Sequence, residues 1–429
     1  MAPAAHRWSG RRDVLLGGSL WSLTASLASG AGQWGLLVIA ARLGSPEMVG
    51  RYALAAALVG PPLLLANLQL RSVLVSDTAG RFAWNAYRKL RAATTALATI
   101  VVAILAGLAG VGGEAAAAVG WLTVIRVLDQ AADLYHAVLQ KNDRLRTTAT
   151  LAAVKTAASL AVFAAALAAA GWLSVALAAI ALVDAAVLAG IERPAGIRFL
   201  EPPRRRTAGG STVELARRAF PLGLVATLIS IHGAIPRYFL AWRQGPAALG
   251  YFTALSTIPF ALHAVTGAAA QAWLAPLARS YAADRAVFGR LTLALAALAA
   301  SLGVAAIAAT PWLGRLAGWL YRPDYARHPD LLFWLTVAGA ASALGGVLGA
   351  AVTAAGGFAP QPASYALAAA VCAVGCFLWV DASRPAAPAQ ALAASSLIVI
   401  AGHAALLRRL MGRRHSLSLE PSCNRASLA

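Results

Sequence analysis

The sequence predicts an all-α polytopic membrane protein of about twelve transmembrane helices, arranged as two six-helix bundles. Three observations carry that prediction. Sixty per cent of the 429 residues are hydrophobic and only 12% are charged, against about 25% charged in an ordinary soluble domain. Apolar runs long enough for a span, about 20 residues, recur along the whole chain. Lys and Arg alternate in density between successive connections, as cytoplasmic and external loops do.

The spans are placed at 15–40, 49–69, 93–113, 117–140, 149–170 and 172–191, then 218–241, 247–274, 290–311, 331–355, 362–381 and 387–407. The basic opening MAPAAHRWSGRR and the run behind it exceed the core of a cleaved signal, so 15–40 reads as an uncleaved first span. The stretch 149–191 is too long for one helix, and Gly171 supplies the turn that divides it. With both termini cytoplasmic, inner segments carry 26 Lys and Arg and outer segments 7. The formal charge of +20 therefore reads as orientation signal, and nucleic acid is not an expected partner.

The inner segment 192–217, with EPPRRRTAGGST, reads as a basic cytoplasmic linker. It separates an N-terminal bundle, 1–191, from a C-terminal bundle, 218–410, followed by a disordered cytoplasmic tail, 411–429. The halves look related: RLGSPEMVGRYALA from Arg42 and RQGPAALGYFTAL from Arg243 share Arg-x-Gly, a second Gly and an aromatic two residues later. Matching motifs after the first span of each half suggest parallel repeats.

Span four carries the main anomaly. On a helix turning about 100° per residue, Arg126, Asp129, Asp133, His136 and Gln140 share an arc of about 80°. A charge facing lipid at mid-bilayer costs at least about 2.5–3.5 kcal/mol, so this stripe faces protein or a watery cavity. Arg126 and Asp129 can also form a self-compensating i,i+3 pair. Lys155, Asp184 and Arg237 add charge to spans five, six and seven. Intramembrane ionisable groups mark substrate or ion paths by default. Trp312, Trp319, Tyr321 and Tyr325, in the longest outer segment, suit an interfacial aromatic belt. Cys372 and Cys376 read as buried small hydrophobes. No phosphate-binding loop, metal-ligand spacing or cofactor motif appears in the sequence.

Residues 41–77 (ARLGSPEMVGRYALAAALVGPPLLLANLQLRSVLVSD) resemble the start of Wzx-type polysaccharide flippases, of the multidrug/oligosaccharidyl-lipid/polysaccharide exporter superfamily. LQLR at 68–71 followed by Asp77 is a close match. RVLDQAADLYHAVLQKNDR (126–144), PRYFLAWRQGPAALGYFTAL (236–255) and, more loosely, DYARHPDLL with Gln361 extend the resemblance over nearly the whole chain. The resemblance implies two bundles forming a V around a central cavity in the bacterial inner membrane. It implies as cargo an oligosaccharide on a polyprenyl pyrophosphate, flipped to the outer face for O-antigen, capsule or exopolysaccharide synthesis. Membrane lipid and a polysaccharide polymerase are its implied partners.

On that reading Arg126, Lys155 and Arg237 are candidate pyrophosphate contacts, since Arg binds phosphate bidentately and Lys acts as a point charge. Arg71 is an entry-side candidate, with an ordinary positive-inside anchor as its equal alternative. Asp129, Asp133, His136 and Asp184 would orient the cations or carry a coupling proton. Two other functions stay open: a cation-coupled small-molecule exporter of the same fold, and a membrane-embedded polysaccharide polymerase or ligase. The absence of acidic residues from the first two spans speaks against the first, and short outer loops against the second. A scaffold of the same fold without transport also stays open.

Overall fold

A computed structural model describes residues 21, 28–77, 80–200, 210–357, 360–381 and 384–412. The tail expected from 411 lies, from residue 413 onward, outside the described residues, as do most residues before 28 and the linker stretch 201–209.

The described residues contain helices and no strand. Eleven of the helices are long and apolar enough to cross a membrane. Helix α1 (28–43) occupies the position of the remaining expected span. The N-terminal half continues with α2 (Pro46–Asn67), α3 (Leu70–Ser76), α4 (Trp84–Leu108), α5 (Gly113–Lys141), α6 (Leu145–Ala170), α7 (Leu173–Val187) and the short α8 (Arg193–Ile197). The C-terminal half comprises α9 (Thr212–Arg243), α10 (Gly245–Ala283), α11 (Arg285–Ala308), α12 (Thr310–Leu320), α13 (Pro329–Ala354), α14 (Gln361–Trp379) and α15 (Ala387–Gly412). The chain is a multi-pass membrane protein.

Local chemistry sets the boundaries. Ser45 caps α2 by accepting from the Met48 N–H at 3.3 Å, with Pro46 in the first turn. Ser211 caps α9 through the Glu214 N–H, and Asp284 caps α11 through Ala286 and Val287. Gly171 ends α6 at φ +71, the turn expected of it. Span four begins and ends close to its expected limits. Span three starts nine residues earlier than 93, because α4 opens at Trp84.

Two departures matter for the site. The second span runs to Ser76 but breaks at Leu68 and Gln69, both left-handed at φ 50 and 51. The break swings α3, and with it Arg71, out of line with α2. The sixth span passes through a π-helical turn, Leu188–Glu192, before α8. Glu192, expected to open a linker, is instead fully buried.

Contacts between the halves centre on α2, which packs on α9 and α10. At the Gly44/Gly245 end the two repeat motifs meet each other. A Cβ on Gly50 would run into the Pro246 carbonyl, and a Cβ on Gly250 into the Pro46 carbonyl. The contact is reciprocal between matching motif positions. It is closed by Arg42 donating to the Leu320 carbonyl at 2.8 Å and Arg322 to Gly44 at 2.9 Å. At the opposite end, Leu68, Tyr87 and Val138 pack with Leu215 and Ala219 of α9.

The aromatic belt divides. Trp312 and Trp319 are exposed, as expected, with Trp319 at 72%. Tyr321 and Tyr325 are buried at 0 and 1%, which corrects the expectation for them. The Tyr321 hydroxyl accepts from Trp34 Nε1 at 3.0 Å and bonds Thr257 at 2.5 Å. A phenol so satisfied has no need of the interface.

Candidate functional site: a charged cavity in the N-terminal half

A cavity of about 840 Å³ lies inside the N-terminal half, walled by α1, α2, α3, α5, α6 and α7 with the π turn behind α7. It runs along α5 from Leu122 to Gln140, with Leu177, Ser76 and Leu145 also on its wall. All five members of the polar stripe on α5 line it: Arg126, Asp129, Asp133, His136 and Gln140. A 3.6-residue period keeps those side chains on one face while Leu134 and Val138 pack into the bundle.

The charges form two ion-pair clusters and an acid–imidazole pair. In the first cluster, Lys155 Nζ lies 2.8 Å from Asp129 Oδ1 and 3.6 Å from Asp184 Oδ1. Arg126 Nη1 stands 3.4 Å from Asp129 Oδ2, the i,i+3 pair expected from spacing. Ser159 donates to Asp184 at 3.3 Å. In the second cluster, Asp133 joins Arg71 at 3.5 Å and Arg91 at 3.2 Å. Arg71 also donates to Gln140 at 2.9 Å. The third feature is His136 Nε2, 3.1 Å from Glu192 Oε1. That approach is misaligned for a hydrogen bond, so both Glu192 oxygens stay without a donor.

Four cations, Arg71, Arg91, Arg126 and Lys155, thus face four carboxylates, Asp129, Asp133, Asp184 and Glu192. Charges removed from water must be paired and hydrogen-bonded to be tolerated. The network satisfies that requirement except at the two Glu192 oxygens, His136 Nε2 and Arg91 Nε, which are buried without a hydrogen-bond partner.

Seven of the eight residues singled out from sequence come together here. Arg237 does not: it sits on α9, turned toward Tyr52 and Tyr238 rather than into the cavity. Tyr52 does line the cavity and feels the charge of both Arg126 and Arg237. Arg237 Nε is buried without a partner.

Sequence reasoning missed Arg91, Gln130 and Glu192. Arg91 precedes the third span expected from 93 and so falls in a basic connection, yet it is only 5% exposed. It donates to the Asn67 carbonyl at 3.0 Å and to Gln130 at 3.3 Å. Its signal was present: Tyr87, Arg91, Thr95, Ala98 and Val102 are buried at helical spacing along α4. Asp77, matched in the resemblance, caps the turn into α4 by accepting from the N–H groups of Arg81 and Phe82.

No protein-family model matches the sequence, and no curated protein matches it. Solved structures do share its fold. The lipid II flippase MurJ in an inward closed conformation aligns at TM-score 0.65 and 10% identity, covering 91% of this chain and 90% of that one. The Vibrio cholerae MATE transporter VcmN in its bent form aligns at 0.58 and 14%, covering 94 and 98%. An inward-facing multidrug resistance MATE transporter of the MOP superfamily aligns at 0.56 and 14%, covering 92 and 95%. The all-helical, two-bundle membrane fold expected from the sequence is therefore the fold that these structures share.

Proposed function

We propose that the chain flips a polyprenyl-pyrophosphate-linked oligosaccharide from the inner to the outer face of a bacterial cytoplasmic membrane, by alternating access. The observation that carries this reading is the set of cations on the cavity wall. Arg71, Arg126 and Lys155 reach it from three different elements. A pyrophosphate entering the cavity would take over Arg126 and Lys155 from Asp129. Proton uptake at the released carboxylates, or at the His136–Glu192 pair, would then keep the cavity near neutrality. Arg237, unpartnered behind Tyr52, would meet the head group as the halves move. The density of Lys and Arg in the connections supports reading the Gln140 end of the cavity, and both termini, as cytoplasmic. The chain so read catalyses no covalent step. A ligand drives such a cycle only through unequal affinity for the two states, and the exchange of internal for external ion pairs supplies that inequality.

One observation favours a second reading. Asp129, Asp133, Asp184 and Glu192 set four carboxylates on the cavity wall against the three cations that line it, which suits a cation-coupled small-molecule exporter of the same fold.

The test is flipping of a fluorescent polyprenyl-pyrophosphate oligosaccharide in proteoliposomes. Wild type should transport it, and Arg126→Ala and Lys155→Ala should each reduce the rate at least tenfold with the fold intact. Transport indifferent to both substitutions would make the cations structural. Absence of glycan-lipid flipping together with proton-driven efflux of a cationic dye would establish the exporter instead.

A further inference from the structure

A second hollow lies on the flank of the same half. It is a groove of about 550 Å³ between α4 and α5, separate from the charged cavity and open on the outer surface of the bundle. Arg88, Lys89 and Arg91 line it, and no carboxylate does. Arg88 and Lys89 are exposed and have no ion-pair or hydrogen-bond partner among the described residues. Arg91 closes the back of the groove. Its two terminal nitrogens are engaged with Asp133, Gln130 and Asn67, but its Nε is buried and unpartnered. Three converging cations with an unused donor behind them are a site short of an anion.

The surroundings say which anion. Trp84 and Tyr135 both line the groove, their rings 5.7 Å apart, and such rings settle at the head-group level of a bilayer. From Ile100 onward α4 is apolar, and it faces outward: Ile100 and Ile104 are 57 and 55% exposed. They lie about 20° and 60° round the helix from Lys89. An occupant must therefore carry negative charge at one end and hydrocarbon at the other, with the hydrocarbon running up α4.

We propose that this groove binds an anionic phospholipid, its phosphate held by Arg88, Lys89 and Arg91 and its acyl chain laid along α4. The Arg88 guanidinium takes the phosphate oxygens in paired hydrogen bonds, the free Arg91 Nε adds a single donor, and the Lys89 ammonium adds a point charge. The site is independent of the cargo carried by the charged cavity. Through Arg91, which also holds Asp133, an occupied groove would steady one wall of that cavity.

The experiment is native mass spectrometry of the full chain, released from mixed micelles holding equal amounts of phosphatidylglycerol and phosphatidylcholine. Wild type should retain phosphatidylglycerol at least tenfold over phosphatidylcholine. Arg88→Gln with Lys89→Gln should erase the preference while the thermal transition in phosphatidylcholine stays unchanged. Arg408→Gln with Arg409→Gln, the same charge loss on α15, should leave the preference intact. Equal retention of the two lipids by wild type, or equal loss in both double variants, would overturn the proposal. So would displacement of phosphatidylglycerol by millimolar inorganic phosphate, which would make this a free-anion site. Displacement by an equimolar polyprenyl phosphate would assign the groove to the transported lipid and overturn it as well.

Discussion

The two halves share a frame and differ in what fills it. In the N-terminal half, three cations and four carboxylates line one cavity, with Arg91 behind its wall paired to Asp133. In the C-terminal half, the acidic residues Glu214, Asp284, Asp324, Asp330 and Asp381 all sit at helix ends or in turns. Its interior is knit by neutral pairs instead. His232 bonds Ser395 at 2.7 Å, Ser342 meets Ser396 at 3.3 Å, and Gln361 donates to Thr353 at 3.0 Å. Arg237 is the exception, a cation within a span there. The contrast teaches that frame and filling answer to different physics. Close backbone approach fixes Gly50 and Gly250 in both halves. Buried charge is affordable only where partners are gathered, so it concentrates in one half rather than spreading over two.

The sharpest way to break the comparison is to unbalance the charged half. Asp133→Asn leaves Arg91 buried without its carboxylate, and removing one member of such a pair costs about 3–5 kcal/mol. Because Asp133 is partly exposed, the lower end is expected, read as a fall in the thermal transition in micelles. Adding Arg91→Met should recover more than half of the loss. If the single variant is as stable as wild type, the carboxylate does not hold Arg91.

The shared frame comes next. Gly50→Val and Gly250→Val each push a side chain into a facing proline carbonyl, an overpacking cost of about 1–3 kcal/mol. Their effects should be less than additive, because both relieve the same crossing. Gly120→Ala, which meets open space, is the control and should change nothing or stabilise slightly. Additive losses would mean that the two glycines do not share a contact.

The smallest effect belongs to the neutral half. Ser395→Ala removes the partner of His232 and should cost about 1 kcal/mol, with the proposed glycan-lipid flipping unchanged. A tenfold fall in flipping from that variant would move part of the site into the C-terminal half.

The fold was legible because hydrocarbon imposes a length and a period that composition reveals directly. Eleven spans lie where apolar runs placed them, and the stripe from Arg126 to Gln140 faces one cavity because helical geometry alone puts it on one face. Boundaries were less legible where a span continues under polar residues. α4 starts at Trp84, because the cations of its first turns ride at its polar end while Tyr87 and Leu90 already pack inward. Glu192 was hidden by its neighbours: Arg193 and Pro194 read as the start of a linker, and nothing local signals a π turn that carries a carboxylate to His136.

By itself, then, the sequence determined the class, the number of spans, the repeat motif and the helix face that had to avoid lipid. Each of these follows from local hydropathy and a fixed rise and turn per residue. The tertiary structure alone decided partnership. It turned Arg71 inward through the left-handed break at Leu68 and Gln69, joined Lys155 to Asp129 and Asp184 across three helices, and kept Arg237 apart from them. A charge on a helix announces that it needs a partner. Which partner it finds depends on how the helices pack, and no single helix carries that information.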